Sequence, residues 1–129
     1  MPYVRIELPA GRSREEKQAI LQEIDAVLVA VLGVPANDAF LRIIDYTPDA
    51  SQVPRCHGPQ FTFVEIQLFP GRRPETKARL YHALVETLTA FDIPANDITI
   101  ALIEIAPADW GIAGGVPASE IPPPFAVAV

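Results

Sequence analysis

Four kinds of side chain in this sequence could do chemistry together: a proline directly after the first methionine, Pro2; a Gly-Arg-Arg run carrying Arg72 and Arg73; a carboxylate, Asp38, after a Pro-Ala-Asn stretch; and the single tryptophan, Trp110. A proline at the start of a processed chain is a secondary amine. Its unperturbed pKa is roughly 8, and nearby cations or burial lower it toward neutrality, where it can serve as a base. A mid-chain nitrogen, tied into a peptide bond, has no such basicity. Guanidinium forks bind carboxylate or enolate oxygens in bidentate fashion and oppose protonation of a neighbouring amine. A carboxylate does the reverse and can act on a proton or a water. Proline occurs at about one position in twenty in proteins generally, so Pro2 gains meaning only if the fold brings these groups to it.

Other chemistries find less support. The chain has 10 Lys and Arg against 16 Asp and Glu, a formal net charge of -6, and its basic residues are scattered. Phosphate binding wants a basic stripe, so nucleic acid is not an expected partner. Cys56 is the single cysteine and cannot form an intrachain disulfide, which fits a reducing cytoplasm. With His57 beside it, Cys56 reads as a loop pair without chemistry rather than a metal or nucleophilic site. AVLVAVLGV, the longest apolar segment, is too short to span a bilayer, so no membrane association is expected. No cofactor or metal is called for.

Residues 1–129 are expected to form a single domain whose halves repeat each other. VRIEL at 4–8 returns as VEIQL at 64–68, GRSREEK at 11–17 as GRRPETK at 71–77, and GVPAND at 33–38 as DIPAND at 92–97. Two copies, 1–46 and 61–110, are too few for a solenoid and point to a pseudo-twofold domain, with 47–60 as linker and 111–129 as tail. Val4, Ile6 and Leu8 alternate with Tyr3, Arg5 and Glu7, and Thr62, Val64, Ile66 and Leu68 with Phe63, Glu65 and Gln67: period-two strands. Ser13 and Glu16 are spaced as a capping box before Ile20, Ile24, Val27, Leu28 and Val31. Pro74 sits where a first-turn proline is tolerated, before Leu80, Leu84, Leu88 and Phe91. Pro35 and Pro94 are expected to stop these helices, with second strands at 40–46 and 99–105. Each half is then strand, helix, strand, and the crossover rule makes its strands parallel. The predicted fold is α/β: two pseudo-twofold βαβ units in a four-stranded mixed sheet with two helices on one face. The uncovered face predicts self-association, and the tail after its proline run is expected to add a short terminal strand.

Pro2, the GRS and GRR turns after the first strands, and DWGIAGG after the last resemble the tautomerase superfamily over nearly the whole chain. WGIAGGVPAS at 110–119 is similar to the close of 4-oxalocrotonate tautomerase, while the duplicated chain, Asp38 after PAN and ADW at 108–110 are more like malonate semialdehyde decarboxylase. The resemblance implies a catalytic amino-terminal proline exposed by loss of Met1, and a trimer. It also implies antiparallel pairing of the two first strands. That pairing would bring Arg72 and Arg73 beside Pro2 and leave Arg12 beside Thr62, while the parallel strands within each unit would let Asp38 approach Pro2 and place Trp110 near Arg72 to close the pocket. Catalytic roles then fall to Pro2, Arg72 and Asp38, and substrate contacts to Arg73 and Trp110.

Each residue also has a plainer reading. Asp38 could cap a turn, since Asp97 occupies the matching place; Trp110 could be a core aromatic; Arg73 and Arg12 could be solvated. Three features depart from the family pattern. Phe40 stands where the short tautomerases carry a second arginine, with Arg42 two residues on along the same face. Arg72 and Arg73 are adjacent, whereas the decarboxylase spaces its pair by one residue. The linker lacks that enzyme's glycine-rich, aromatic stretch. The expected activity is a cofactor-free isomerisation between enol and keto forms of a small, carboxylate-bearing 2-oxo acid, with Pro2 as general base. The alternatives are a decarboxylase or hydratase of a small 3-oxo acid using protonated Pro2 and Asp38, and a noncatalytic scaffold or ligand binder if Met1 is retained.

Overall fold

The computed structural model describes residues 2–122. Its main elements are β1 (Tyr3–Pro9), α1 (Arg14–Leu32), β2 (Phe40–Tyr46), β3 (Thr62–Leu68), α2 (Pro74–Thr89) and β4 (Ile98–Glu104), followed by a small hairpin of β5 (Gly111–Ile112) and β6 (Val116–Pro117). The four long strands form one sheet in the order β2-β1-β3-β4. Within each half the strands are parallel, with Tyr3 opposite Phe40 and Thr62 opposite Ile98. The halves meet through antiparallel β1 and β3, with Tyr3 opposite Gln67 and Glu7 opposite Phe63. The result is the α/β sheet of two βαβ units that the repeat predicts.

Alternation decides which face of the sheet is covered. Val4, Ile6, Leu8, Val64 and Ile66 have no exposed surface and join Ile20, Ile24, Leu28, Leu80, Leu84 and Leu88 of the two helices in one core. Each such side chain contributes about 1.5–3 kcal/mol on leaving water. Tyr3, Phe40, Ile44 and Ile103 lie on the alternate, helix-free face and are exposed. α1 starts as expected, with the Ser13 hydroxyl accepting the Glu16 N–H at 3.1 Å. The Glu16 carboxylate goes to Arg12 instead of completing the capping box. Gly11 and Gly71 have φ of 123° and 128°, a conformation in which a side chain would be strained, and this turn delivers an arginine to the threshold of each helix.

Three elements differ in their bounds from the sequence expectation. Neither helix runs to its proline. α1 stops at Leu32 because Gly33 takes a left-handed conformation, φ 72°, and donates its N–H to Val29. α2 stops at Thr89, tightens through Phe91 and Asp92 N–H groups bonded to Leu88 and Thr89, and turns at Asp92, φ 64°. The last long strand begins at Ile98 and ends at Glu104, one residue early at each end. The β5–β6 hairpin was not foreseen, and the terminal strand expected after the prolines lies outside the described residues. Among those residues no helix is long and apolar enough to cross a membrane.

Candidate functional site

The strand register determines what meets at the start of β1. Pro2 is buried there, and its carbonyl accepts the Phe40 N–H at 3.0 Å, which ties the chain start to the segment Asp38–Ala39 entering β2. Because β1 and β3 run oppositely, the same place adjoins the end of β3 and the turn through Phe69, Gly71 and Arg72. Asp38 is half-buried, in a turn closed by its N–H on Pro35 at 3.2 Å.

Arg72 is only 7 % exposed. One terminal nitrogen, Nη1, donates to the Phe69 carbonyl at 3.1 Å, while Nε is buried and has no hydrogen-bond partner among the described residues. Burial pulls the guanidinium below its ordinary pKa, and the Glu104 carboxylate works against that shift. Glu104 is itself held by Lys77 at 2.9 Å. A buried charge with little pairing is costly, and a guanidinium so placed favours an incoming anion. Arg73, one residue on, is exposed at the N-cap of α2. Adjacency along the chain therefore sends the two arginines into different surroundings.

Trp110 is buried and donates its indole N–H to the Ile105 carbonyl at 3.0 Å. That bond holds the ring edge-on to Tyr3, 5.3 Å between centroids, and to Phe69 at 5.7 Å. Tyr3 also meets Phe40 edge-on at 5.7 Å, and the Arg42 guanidinium sits 5.4 Å from the Phe40 ring. Four aromatic rings therefore form a collar around the corner. Sequence reasoning overlooked Tyr3 and Phe69 as parts of it. The available signal was that both flank the ends of strands whose pairing places them beside Pro2. Phe40, noted as replacing an arginine, makes this corner more apolar.

The structure thus brings Pro2, Asp38, Arg72 and Trp110 to one corner and leaves Arg73 at its solvent edge. The matching corner at the start of β3 is built differently. Thr62 is fully buried and its hydroxyl donates to the Gln60 carbonyl at 3.0 Å. Arg12 is paired with Glu16 and reaches the Gln60 side chain at 3.4 Å. Asp97, 5 % exposed, accepts the Gly58 N–H at 2.7 Å. A Cβ on Gly58 would stand 2.9 Å from the other Asp97 oxygen, so any larger residue there would push the Asp97 carboxylate aside. Tyr46 donates its hydroxyl to the Phe61 carbonyl, and burial, then the negative charge of Asp97, push its pKa up. The His57 ring donates from Nδ1 to Asn96 at 2.6 Å and packs on Phe61 at 4.7 Å, so the Cys56–His57 pair serves the linker's packing. A hollow of about 220 Å³ on the open face, lined by Glu7, Ile44, Tyr46, Phe61 and Phe63, lies at this second corner rather than at Pro2. Among the described residues no group of three or more His, Cys, Asp or Glu side chains could hold a metal ion.

Known proteins share this fold and sequence pattern. Two family models, each described as tautomerase enzyme, match residues 38–113 and 2–53. A probable tautomerase of Bacillus subtilis strain 168, YusQ, is 26% identical over 123 residues, spanning 89% of this chain and 95% of its own. The structure of FG41 malonate semialdehyde decarboxylase inhibited by 3-bromopropiolate superposes with a TM-score of 0.81 at 30% identity, covering 95% of this chain and 99% of that one. A fused 4-OT described as a symmetric trimer gives 0.85 at 28% identity, covering 92% and 99%.

Proposed function

The chain belongs to the tautomerase family, and we propose that it interconverts the enol and keto forms of a small 2-oxo acid, with the imino nitrogen of Pro2 as general base after removal of Met1. In this reading Pro2 takes the enol hydroxyl proton as the oxygen's electrons form the carbonyl, and the resulting prolinium returns a proton to the adjacent carbon. Arg72 holds the carboxylate or the developing enolate oxygen in a site shielded from water, where its charge acts strongly. Trp110, Tyr3 and Phe69 pack the apolar part of the substrate, and Arg73 attracts the anion at the mouth. The observation that carries the reading is the buried Arg72 with its unpartnered Nε in the corner where β1 begins.

The assembly we propose is a homotrimer: the sheet's free face carries exposed Phe40, Ile44 and Ile103, and the fused 4-OT structures are described as trimers. One exposed thiol, Cys56, suits a reducing cytoplasm.

Turnover of phenylenolpyruvate, with intact mass measured on the same sample, tests the proposal. The expected result is a chain lacking Met1 and a rate that collapses in Pro2→Ala. Full activity in that variant, or in a chain retaining Met1, would overturn it. A second reading, decarboxylation or hydration of a small 3-oxo acid by protonated Pro2 with Asp38, draws support from the half-buried Asp38 at this corner and from the decarboxylase relative. The pH profile separates them: a base mechanism fails on acidification through the proline pKa, an acid mechanism on alkalinisation.

A further inference from the structure

The third residue of each helix occupies the same place relative to the preceding arginine, four positions after it: Glu16 follows Arg12 and Thr76 follows Arg72. Local helix physics favours an acid there in both halves. A carboxylate in the first turn interacts well with the unpaired N–H groups and with the positive end of the helix dipole. The first half follows that rule, and Glu16 spends its carboxylate on Arg12. The second half keeps an acid in its first turn at Glu75 but puts Thr76 at this position, neutral, 1 % exposed and accepting a weak contact from Arg79 at 3.4 Å. A sequence that forgoes a locally favourable residue commonly does so for a site. Arg72 is left with a backbone carbonyl on one nitrogen, no partner on Nε, and Glu104, already engaged by Lys77, as the carboxylate acting on it.

We infer that Thr76 is a positioning residue: by withholding from Arg72 the direct ion pair that Glu16 makes with Arg12, it keeps that guanidinium available to an external carboxylate. The inference rests on the proposed role of Arg72 in holding the substrate anion. It assigns the difference between the two corners to one side chain in each helix, in addition to the missing amine at Thr62.

The test uses the full chain and trans-cinnamate, a flat aryl carboxylate that cannot enolise, titrated by calorimetry alongside phenylenolpyruvate kinetics. In Thr76→Glu, cinnamate affinity should fall by about tenfold or more, since a charge-assisted pair to Arg72 now competes. KM should rise more than kcat falls, and Thr76→Gln, equal in size but neutral, should restore most of the binding. Equal loss in the Glu and Gln variants, or no loss in either, overturns the inference. If Thr76 variants fold poorly, the reciprocal change decides: Glu16→Thr with Gln60→Ala should release Arg12 and add a second, weaker equivalent of cinnamate per chain, and its absence overturns the inference. Wild-type protein that binds no cinnamate would instead sink the role of Arg72 itself.

Discussion

The two ends of the central strand pair are made from the same sequence motif and differ in what their polar groups do. At the β1 start, a buried arginine keeps an unpartnered nitrogen, and the rings of Tyr3, Phe40, Phe69 and Trp110 meet one another at the same corner. At the β3 start, Arg12, Asp97, Tyr46 and Thr62 all find partners within the chain, several of them on the linker at Gly58 and Gln60 or just past it at Phe61. The linker can fill only one corner, because it enters β3 and ends there. At the other corner Pro2 is tied through its carbonyl to Phe40, and Arg72 keeps an Nε without a partner among the described residues. Duplication therefore yields one corner with polar capacity to spare and one that is satisfied internally.

Substitutions at matching positions can break or sharpen this contrast. The largest expected difference is between Pro2→Ala and Thr62→Ala: the first should lower turnover of phenylenolpyruvate by about 10²-fold or more, the second should leave kcat/KM unchanged. Next, Arg72→Ala should reduce kcat/KM by about 10²-fold by removing a charge-assisted contact to the substrate. Arg12→Ala should leave the rate intact and shift stability within about 1 kcal/mol, as for a partly exposed ion pair. Equal rate losses at the two arginines would erase the distinction between the corners.

The aspartates should separate in the opposite sense. Asp97→Ala strands the Gly58 N–H beside a buried gap and should cost about 1–3 kcal/mol in denaturant unfolding, with little effect on the chemistry. Asp38→Asn should instead move the pH-rate profile, because a carboxylate near Pro2 favours its protonated form and its loss lowers the proline pKa. The smallest effect concerns Tyr46. Its pKa is raised in the folded protein, so the stability it contributes is complete below the ordinary tyrosine pKa and is lost as the pH rises through the raised value. Tyr46→Phe should remove that alkaline component of the unfolding curve, at a cost of about 1 kcal/mol near neutrality for the lost hydrogen bond to Phe61.

Much of the fold was legible because strand alternation and helix periodicity are local. Val4, Ile6 and Leu8 announce a covered face, and the buried stripe Ile20, Ile24 and Leu28 announces the helix that covers it. The helix ends were misread because proline is a loud signal and a left-handed residue a quiet one: Gly33 and Asp92 turn the chain before Pro35 and Pro94 are reached. The adjacent Arg72 and Arg73 were indistinguishable as letters. Their separation into buried and exposed follows from the turn at Gly71 and from Phe69 accepting one of them. Tyr3 and Phe69 were overlooked as partners of Trp110 because their rings meet it only through strand pairing between residues far apart along the chain.

Composition and pattern alone determined that this protein would build a doubled βαβ sheet and that only the first copy carries a proline, Pro2, where the second carries Thr62, since these depend on residue order. Tertiary structure decided which arginine is buried with an unpartnered nitrogen and which is paired with a neighbouring carboxylate. That outcome depends on strand register and on where the linker packs, and both are settled by contacts between residues tens of positions apart.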